Sequence, residues 1–250
     1  MNHLAVSVVV PVFNSEATLR ELVRRLREVF RAQGVEHEVV LVDDGSRDGS
    51  WVTIRGLAAE DPAVHGINLM RNYGQHNALL CGIRTARHDV IVTMDDDLQH
   101  PPEEIPKLLE KLREGYDVVY GVPDAERHDV WRRAASWLTK LALKSALGAE
   151  IARHVSAFRA LRTEVRHGFA EYRGPFVALD VLLAWSARRF TALPVRHEPR
   201  RVGASNYTVR RLIAHALTMM TGFSILPLRL ASLVGFAATA FTQCPLTLDH

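Results

Sequence analysis

The sequence predicts an α/β fold, a mostly parallel sheet flanked by helices, on three observations. Short Val/Ile-rich runs alternate with longer periodic segments through the first half of the chain, the pattern of strands separated by crossover helices. The first run, residues 4–13, is apolar almost throughout, as expected of a strand buried on both faces. Composition is ordinary for a globular protein: 48% of the 250 residues are apolar, with 15 Gly and 11 Pro. That balance excludes a disordered tail, a collagen-like chain and a disulfide scaffold.

Strands are predicted over residues 5–12, 38–42, 64–69, 90–94 and 118–120. The first run lacks a basic leader and a small-residue cleavage site and contains Pro11, so a strand is expected there and not a signal peptide. After it, Leu19, Leu22, Val23, Leu26 and Phe30 recur at helical spacing; Ile105, Leu108, Leu109 and Leu112 do so behind Pro101 and Pro102, which suit a helix start. In residues 131–147, Trp131, Ala134, Leu138, Leu141 and Leu147 form an apolar stripe beside Arg132, Arg133, Lys140 and Lys144. Such a helix fits either an anionic membrane surface or the flank of the sheet. Residues 176–185 form an apolar segment, and an edge strand is predicted over 193–197. From Tyr207 onward the chain reads as helix, with Leu212, Ile213, Ala216, Leu217 and Met220 on one side. The uncharged run 230–241 is shorter than the ~20 apolar residues of a membrane span. An interfacial segment, a buried helix and the start of a span all remain open for it. Cys81 and Cys244 stand far apart without a CxxC or Cys/His cluster, which suggests neither a structural zinc site nor a disulfide framework and fits a reducing compartment.

Ligands of open α/β sheets bind beyond the carboxyl ends of the strands, and the residues expected there are acidic. Asp43-Asp44-Gly45-Ser46 follows the second strand and Asp95-Asp96-Asp97 the fourth. The formal charge of +3 conceals an asymmetry: residues 1–126 carry 13 Lys+Arg against 21 Asp+Glu, and residues 127–250 carry 18 against 7. Three successive carboxylates repel one another unless a cation intervenes. Strand alternation would place Asp95 and Asp97 on one side with Asp96 turned away and Gln99 continuing their side. Mg²⁺ or Mn²⁺ suits such hard oxygen donors; a solvated turn capping the following helix explains the same residues. The Asp43–Gly49 turn fits nucleobase recognition by a carboxylate and equally ordinary turn chemistry, with Asp48 as an N-cap. An Mg²⁺-binding phosphoacceptor signalling domain also gathers aspartates on a doubly wound sheet, but here the pair follows the second strand and not the first. Nucleic-acid binding is not expected, because the arginines alternate with apolar helix faces and the sheet edge is acidic.

In chain order, Pro11-Val12-Phe13-Asn14, Asp43-Asp44-Gly45-Ser46, Arg71-Asn72-Tyr73-Gly74-Gln75 and Asp95-Asp96-Asp97-Leu98-Gln99-His100-Pro101-Pro102-Glu103 resemble the motifs of family 2 glycosyltransferases. Ser156-Ala157-Phe158-Arg159 and Arg200-Arg201-Val202-Gly203-Ala204-Ser205-Asn206-Tyr207 resemble later motifs of its polyprenyl-phosphate branch, which includes dolichol-phosphate mannose synthase. Gly174-Pro175-Phe176-Val177-Ala178-Leu179-Asp180 and Thr221-Gly222-Phe223-Ser224 lean toward the undecaprenyl-phosphate 4-deoxy-4-formamido-L-arabinose transferase group.

The resemblance implies a GT-A, Rossmann-like catalytic domain over residues 1–206, followed by a juxtamembrane helix and an incomplete hydrophobic segment over 207–250. It implies inverting, metal-dependent transfer of a sugar from a nucleotide diphosphate, UDP-linked or else GDP-mannose, to a polyprenyl phosphate at the cytoplasmic face of the plasma membrane. Homo-oligomer formation stays open. Pro11, Phe13, Asp43, Asp44, Arg71, Asp95 and Asp96 are the implied nucleotide-sugar contacts; Asp95, Asp97 and Gln99 the Mg²⁺ or Mn²⁺ ligands; Asp97, Arg159 and Arg200 the catalytic groups. Many family members carry Glu directly after the Asn of the first motif, whereas here Ser15 comes first and Glu16 second. A phosphate acceptor is already anionic and needs no general base. Asp180 is the candidate if one exists, against a structural role in its helix.

Overall fold

A computed structural model of the chain describes residues 4–123, 155–174, 177–199, 232–236 and 239. The expected helices over 131–147 and from Tyr207 onward lie outside these residues, as does Arg200; within the run 230–241, residues 232–236 and 239 are helical. The elements run β1 (Val6–Val12), α1 (Glu16–Gln33), β2 (His37–Asp43), α2 (Ser50–Glu60), β3 (Val64–Asn68), α3 (Gln75–Thr85), β4 (Val90–Thr93), α4 (Ile105–Arg113), β5 (Val118–Pro123), β6 (Arg159–Arg162), α5 (Leu179–Ser186) and β7 (Phe190–Val195). Two 3-10 segments, Pro102–Glu104 and Thr163–Phe169, lead into α4 and follow β6.

One mixed sheet takes the order β3-β2-β1-β4-β6-β5-β7. β1 pairs in parallel with both β2 and β4, β2 with β3, and β5 with β7, while β6 runs antiparallel to β4 and β5. The strand order therefore reverses at β1, and a crevice is expected between the ends of β1 and β4. The α/β expectation agrees with this architecture, and the edge strand predicted at 193–197 is β7, begun three residues earlier. β6 went unpredicted, since its two arginines and four-residue length give no Val/Ile run.

Every residue of β1 is buried, which accounts for its unbroken apolar sequence. Leu19, Leu22, Leu26 and Phe30 of α1 join Ile105, Leu108 and Leu112 of α4 on one face. Leu79 and Ile83 of α3, Phe169 of the 3-10 segment after β6 and Leu182 of α5 cover the other. Each such side chain contributes about 1.5–3 kcal/mol by leaving water. α3 packs tightly on the sheet at Gly82, where a Cβ would stand 2.4 Å from Val9 Cγ1.

Pro11 sits within this central strand, where a missing N–H ordinarily costs a ladder bond. Val9 O accepts from Met94 N (3.3 Å) and Val12 O from Asp44 N (2.8 Å), so alternation turns the Pro11 nitrogen toward β4. The β1–β4 register ends at Val9↔Thr93, two residues before Pro11, and no bond is lost.

Candidate active site

Three loops meet at the carboxyl ends of β1, β2 and β4. The loops after β1 and β2 are joined by reciprocal bonds: Asn14 N donates to Ser46 Oγ (2.9 Å), Arg47 N to Asn14 Oδ1 (2.8 Å) and Ser15 N to Ser50 Oγ (2.9 Å). Glu16 N donates to Asp48 Oδ2 (3.2 Å), and Gly49 N to Glu16 Oε2 (3.0 Å). Glu16, displaced by one position from the family pattern, thus ties two loops together. Asp48 accepts from Ser50 N at 3.0 Å, although the helix N-cap itself is Gly49.

Asp43 and Asp44 are both buried. Asp43 Oδ1 accepts from Ser46 N (3.3 Å), closing the turn. Asp44 holds the loop before α3 with both oxygens, accepting from Tyr73 N (2.7 Å) and Gly74 N (2.8 Å). Burial raises the Asp44 carboxyl above its ordinary range, against the two amide bonds that favour its charge. Gly45, at φ 70°, lets the two loops touch; a Cβ there would lie 2.7 Å from Arg71 C and Asn72 N. Arg71 is exposed and stacks over the Tyr73 ring at 4.8 Å, and Phe13 is 41% exposed.

Asp95–Asp97 lie beyond β4 in a turn, so strand alternation does not govern them. Each finds a different neighbour: Asp95 Oδ1 accepts from Gln75 Nε2 (2.6 Å), Asp96 Oδ2 from Phe13 N (3.3 Å) and Asp97 Oδ1 from Gln99 N (3.0 Å). Asp96 thereby bridges β4 to the end of β1. Burial pushes its carboxyl up to about 6, with the Asp97 charge adding to the rise. Leu98 turns the chain at φ 61° with its side chain 2% exposed in the core. The left-handed conformation costs roughly 1–2 kcal/mol in a non-glycine residue, and burial of the isobutyl group offsets it.

Behind this turn, His100 stacks on Phe158 (5.2 Å) and meets the His197 ring edge-on (5.1 Å). Neither ring nitrogen has a hydrogen-bond partner among the described residues. Burial, then His197, lowers it to about 4, so it is neutral at pH 7. Glu198 N donates to Gln99 O (2.8 Å), and Arg196 Nε to buried Glu104 (2.7 Å). Glu198, beyond the end of β7, is thus fastened to the turn at Gln99. His76 Nδ1 accepts from Leu179 N (3.4 Å), joining the starts of α3 and α5.

Arg159 pairs with Thr93 at the carboxyl end of β4, beside this edge, but its side chain turns inward. Its side chain is 2% exposed, pairs through Nη1 with Asp180 Oδ1 and lies over the Tyr120 ring at 5.5 Å. Tyr120 OH donates to the same Asp180 oxygen at 3.0 Å. Its charge is neutralised inside the fold, between the sheet and α5, and Asp180 is engaged there with it. The apolar setting of this pair was not visible in the Ser156–Arg159 motif.

Among the described residues no three His, Cys, Asp or Glu side chains converge into a metal-holding group. The carboxylates of Asp95 and Asp97 nevertheless suit a hard divalent cation that takes its remaining ligands from substrate. Mg²⁺ in particular is usually held by one or two carboxylates together with substrate phosphates.

The family model described as glycosyl transferase family 2 matches residues 7–175. The chain is a family 2 glycosyltransferase. This glycosyltransferase is 41% identical, over 231 residues, to the undecaprenyl-phosphate 4-deoxy-4-formamido-L-arabinose transferase of Pseudomonas paraeruginosa, covering 92% of this chain and 68% of the relative. The enzyme of that name from Shewanella sediminis is 40% identical over 237 residues, covering 94% and 72%. Among solved structures, the glucosyl-3-phosphoglycerate synthase of Mycobacterium tuberculosis in complex with Mn²⁺ and UDP-glucose superposes with a TM-score of 0.61 at 20% identity, covering 87% of this chain and 77% of that one. The GT-A fold expected from the motifs is the fold of this glycosyltransferase. Among the described residues no helix is long and apolar enough to cross a membrane.

Proposed function

We propose that this glycosyltransferase transfers a sugar, with inversion, from a UDP-linked donor to a polyprenyl phosphate of the undecaprenyl type at a membrane surface. The observation that carries the reading is the acidic turn Asp95–Asp97 at the reversal of strand order, beside Phe13 and across from Asp43. The names and about 40% identity of the relatives support the acceptor and a 4-deoxy-4-formamido-pentose class of sugar. The Mn²⁺ and UDP-glucose in complex with the superposable synthase support the donor and the metal.

Asp95 and Asp97, with Gln99, would hold Mg²⁺ or Mn²⁺, which when bound offsets charge developing on the departing diphosphate. Phe13 and Arg71 offer an aromatic and a cationic surface to the nucleotide, Asp43 a carboxylate, and Asp96 fixes the floor between them. The acceptor phosphate is anionic at neutral pH and attacks without a base, which fits an Asp180 occupied by Arg159 and Tyr120. Arg200 is the proposed partner of the acceptor phosphate; Arg159 acts from inside, by holding β6 and β5 to α5. The glycosyl carbon forms its new bond to the phosphate oxygen as the bond to the diphosphate breaks, and the nucleoside diphosphate leaves with those electrons.

Asp97→Ala is expected to abolish the Mn²⁺-dependent rise in melting temperature that UDP confers on the wild-type chain, because a ligand selective for the native state stabilises by mass action. Intact metal-dependent UDP binding in that variant, together with intact transfer, would overturn the assignment.

A further inference from the structure

We infer that Gln75, at the first position of α3, is a positioning residue that orients the Asp95 carboxylate toward the metal through its side-chain amide. The inference rests on the proposed metal role of Asp95. Gln75 is exposed, so packing does not require this residue type, yet its Nε2 stands 2.6 Å from Asp95 Oδ1, twenty residues away in sequence. A donor that holds one oxygen of a carboxylate on a turn limits the group's rotation about its Cβ–Cγ bond. Such outer partners orient a ligand and raise its share of the metal's affinity.

The position of Gln75 is itself prescribed. Asp44 fastens the two amides immediately before it, Tyr73 N at 2.7 Å and Gly74 N at 2.8 Å, and Gly45 packs against the same loop. A continuous path therefore runs from the end of β2, through the loop before α3, to the turn after β4. The aspartates after β2 divide the work: Asp43 faces its own turn, and Asp44 sets the start of α3. The coupling is local and physical, made of three hydrogen bonds and one helix start.

The test measures Mn²⁺ affinity of the full chain by the electron paramagnetic resonance signal of free Mn²⁺, with saturating UDP and, in parallel, GDP. Wild type, Gln75→Ala and Asp97→Ala are compared, with nucleotide affinity and melting temperature recorded in chelator. Gln75→Ala is expected to weaken Mn²⁺ by about tenfold to a hundredfold, while its melting temperature and metal-free nucleotide affinity stay at wild-type values. Wild-type Mn²⁺ affinity in Gln75→Ala, when Asp97→Ala has lost it, overturns the role of Gln75 alone. Absence of Mn²⁺ binding by the wild-type chain with either nucleotide overturns the metal reading of Asp95, and the inference falls with it. A lower melting temperature of Gln75→Ala in chelator, with unchanged Mn²⁺ affinity, makes the bond a structural tie and also overturns it.

Discussion

Arg159 and Asp180 are two charges that the fold has taken out of water. Burying an ion pair is costly for each partner alone, and removal of one leaves the other uncompensated. Asp180→Ala is therefore expected to destabilise the protein by about 3–5 kcal/mol, read as a lower denaturation midpoint in urea. Tyr120→Phe, which removes one bond to a charged acceptor, should cost about 1.5–3 kcal/mol. An Asp180→Ala variant with wild-type stability and abolished transfer would instead place the pair in the chemistry. The motif Ser156–Arg159 was legible as a family signature, but the destination of its arginine was not. Burial of a cation depends on a partner 21 residues on, and spacing along the chain carries no sign of it.

At the scale of elements, the strands with unbroken apolar runs were legible, because burial on both faces leaves that mark on composition. β6 was not: it is short, and one of its arginines reaches back to Tyr116 O and Leu112 O at 3.1 and 3.2 Å. The acidic turn was legible as a cluster but not as a geometry: beyond the end of β4, Asp95 meets α3, Asp96 meets the end of β1 and Asp97 stays within its own turn. The second and third motifs meet backbone to backbone at Gly45. Gly45→Ala is expected to break that contact, as a Cβ would meet backbone at 2.7 Å and a φ of 70° disfavours any side chain. Hydrogen exchange should then quicken at Tyr73 and Gly74, and nucleotide binding should weaken; unchanged protection of those amides would show that the loops separate without consequence.

Across the whole molecule, the sheet has a chemical end and a structural end. Opposite the acidic turns, Glu38 is 3% exposed and takes Ser7 Oγ (2.7 Å), Arg87 N (2.7 Å) and Arg87 Nε (2.9 Å), with His65 Nε2 at 3.4 Å. Burial by itself would raise this carboxyl, but the bonds from Ser7 and Arg87 outweigh it and hold the group below the ordinary 4.5. A carboxyl depressed in the folded state contributes stability that is full above its unfolded value and lost as pH falls through the folded one. Glu38→Gln is expected to lose about 1–3 kcal/mol at pH 7 and to show a shallower decline on acidification below pH 4.5. Parallel acid titrations of unfolding free energy check this, and equal slopes would remove Glu38 from the acid response. The net +3 says nothing of this division. The acidic turns were readable from charge placement, whereas Glu38 looked like any strand-flanking glutamate until Ser7 of β1, His65 of β3 and Arg87, beyond the end of α3, came together around it.

Pro11 gives the division its boundary. A residue without a hydrogen to offer stands where β1 and β4 part, and past it the main chain on that side of β1 no longer bonds to β4. The next amide but one, Phe13 N–H, is answered by a side chain, Asp96. The sheet thus changes there from a fabric closed on its own backbone into a mouth whose bonding groups are supplied by side chains, and a single imino acid marks the hem.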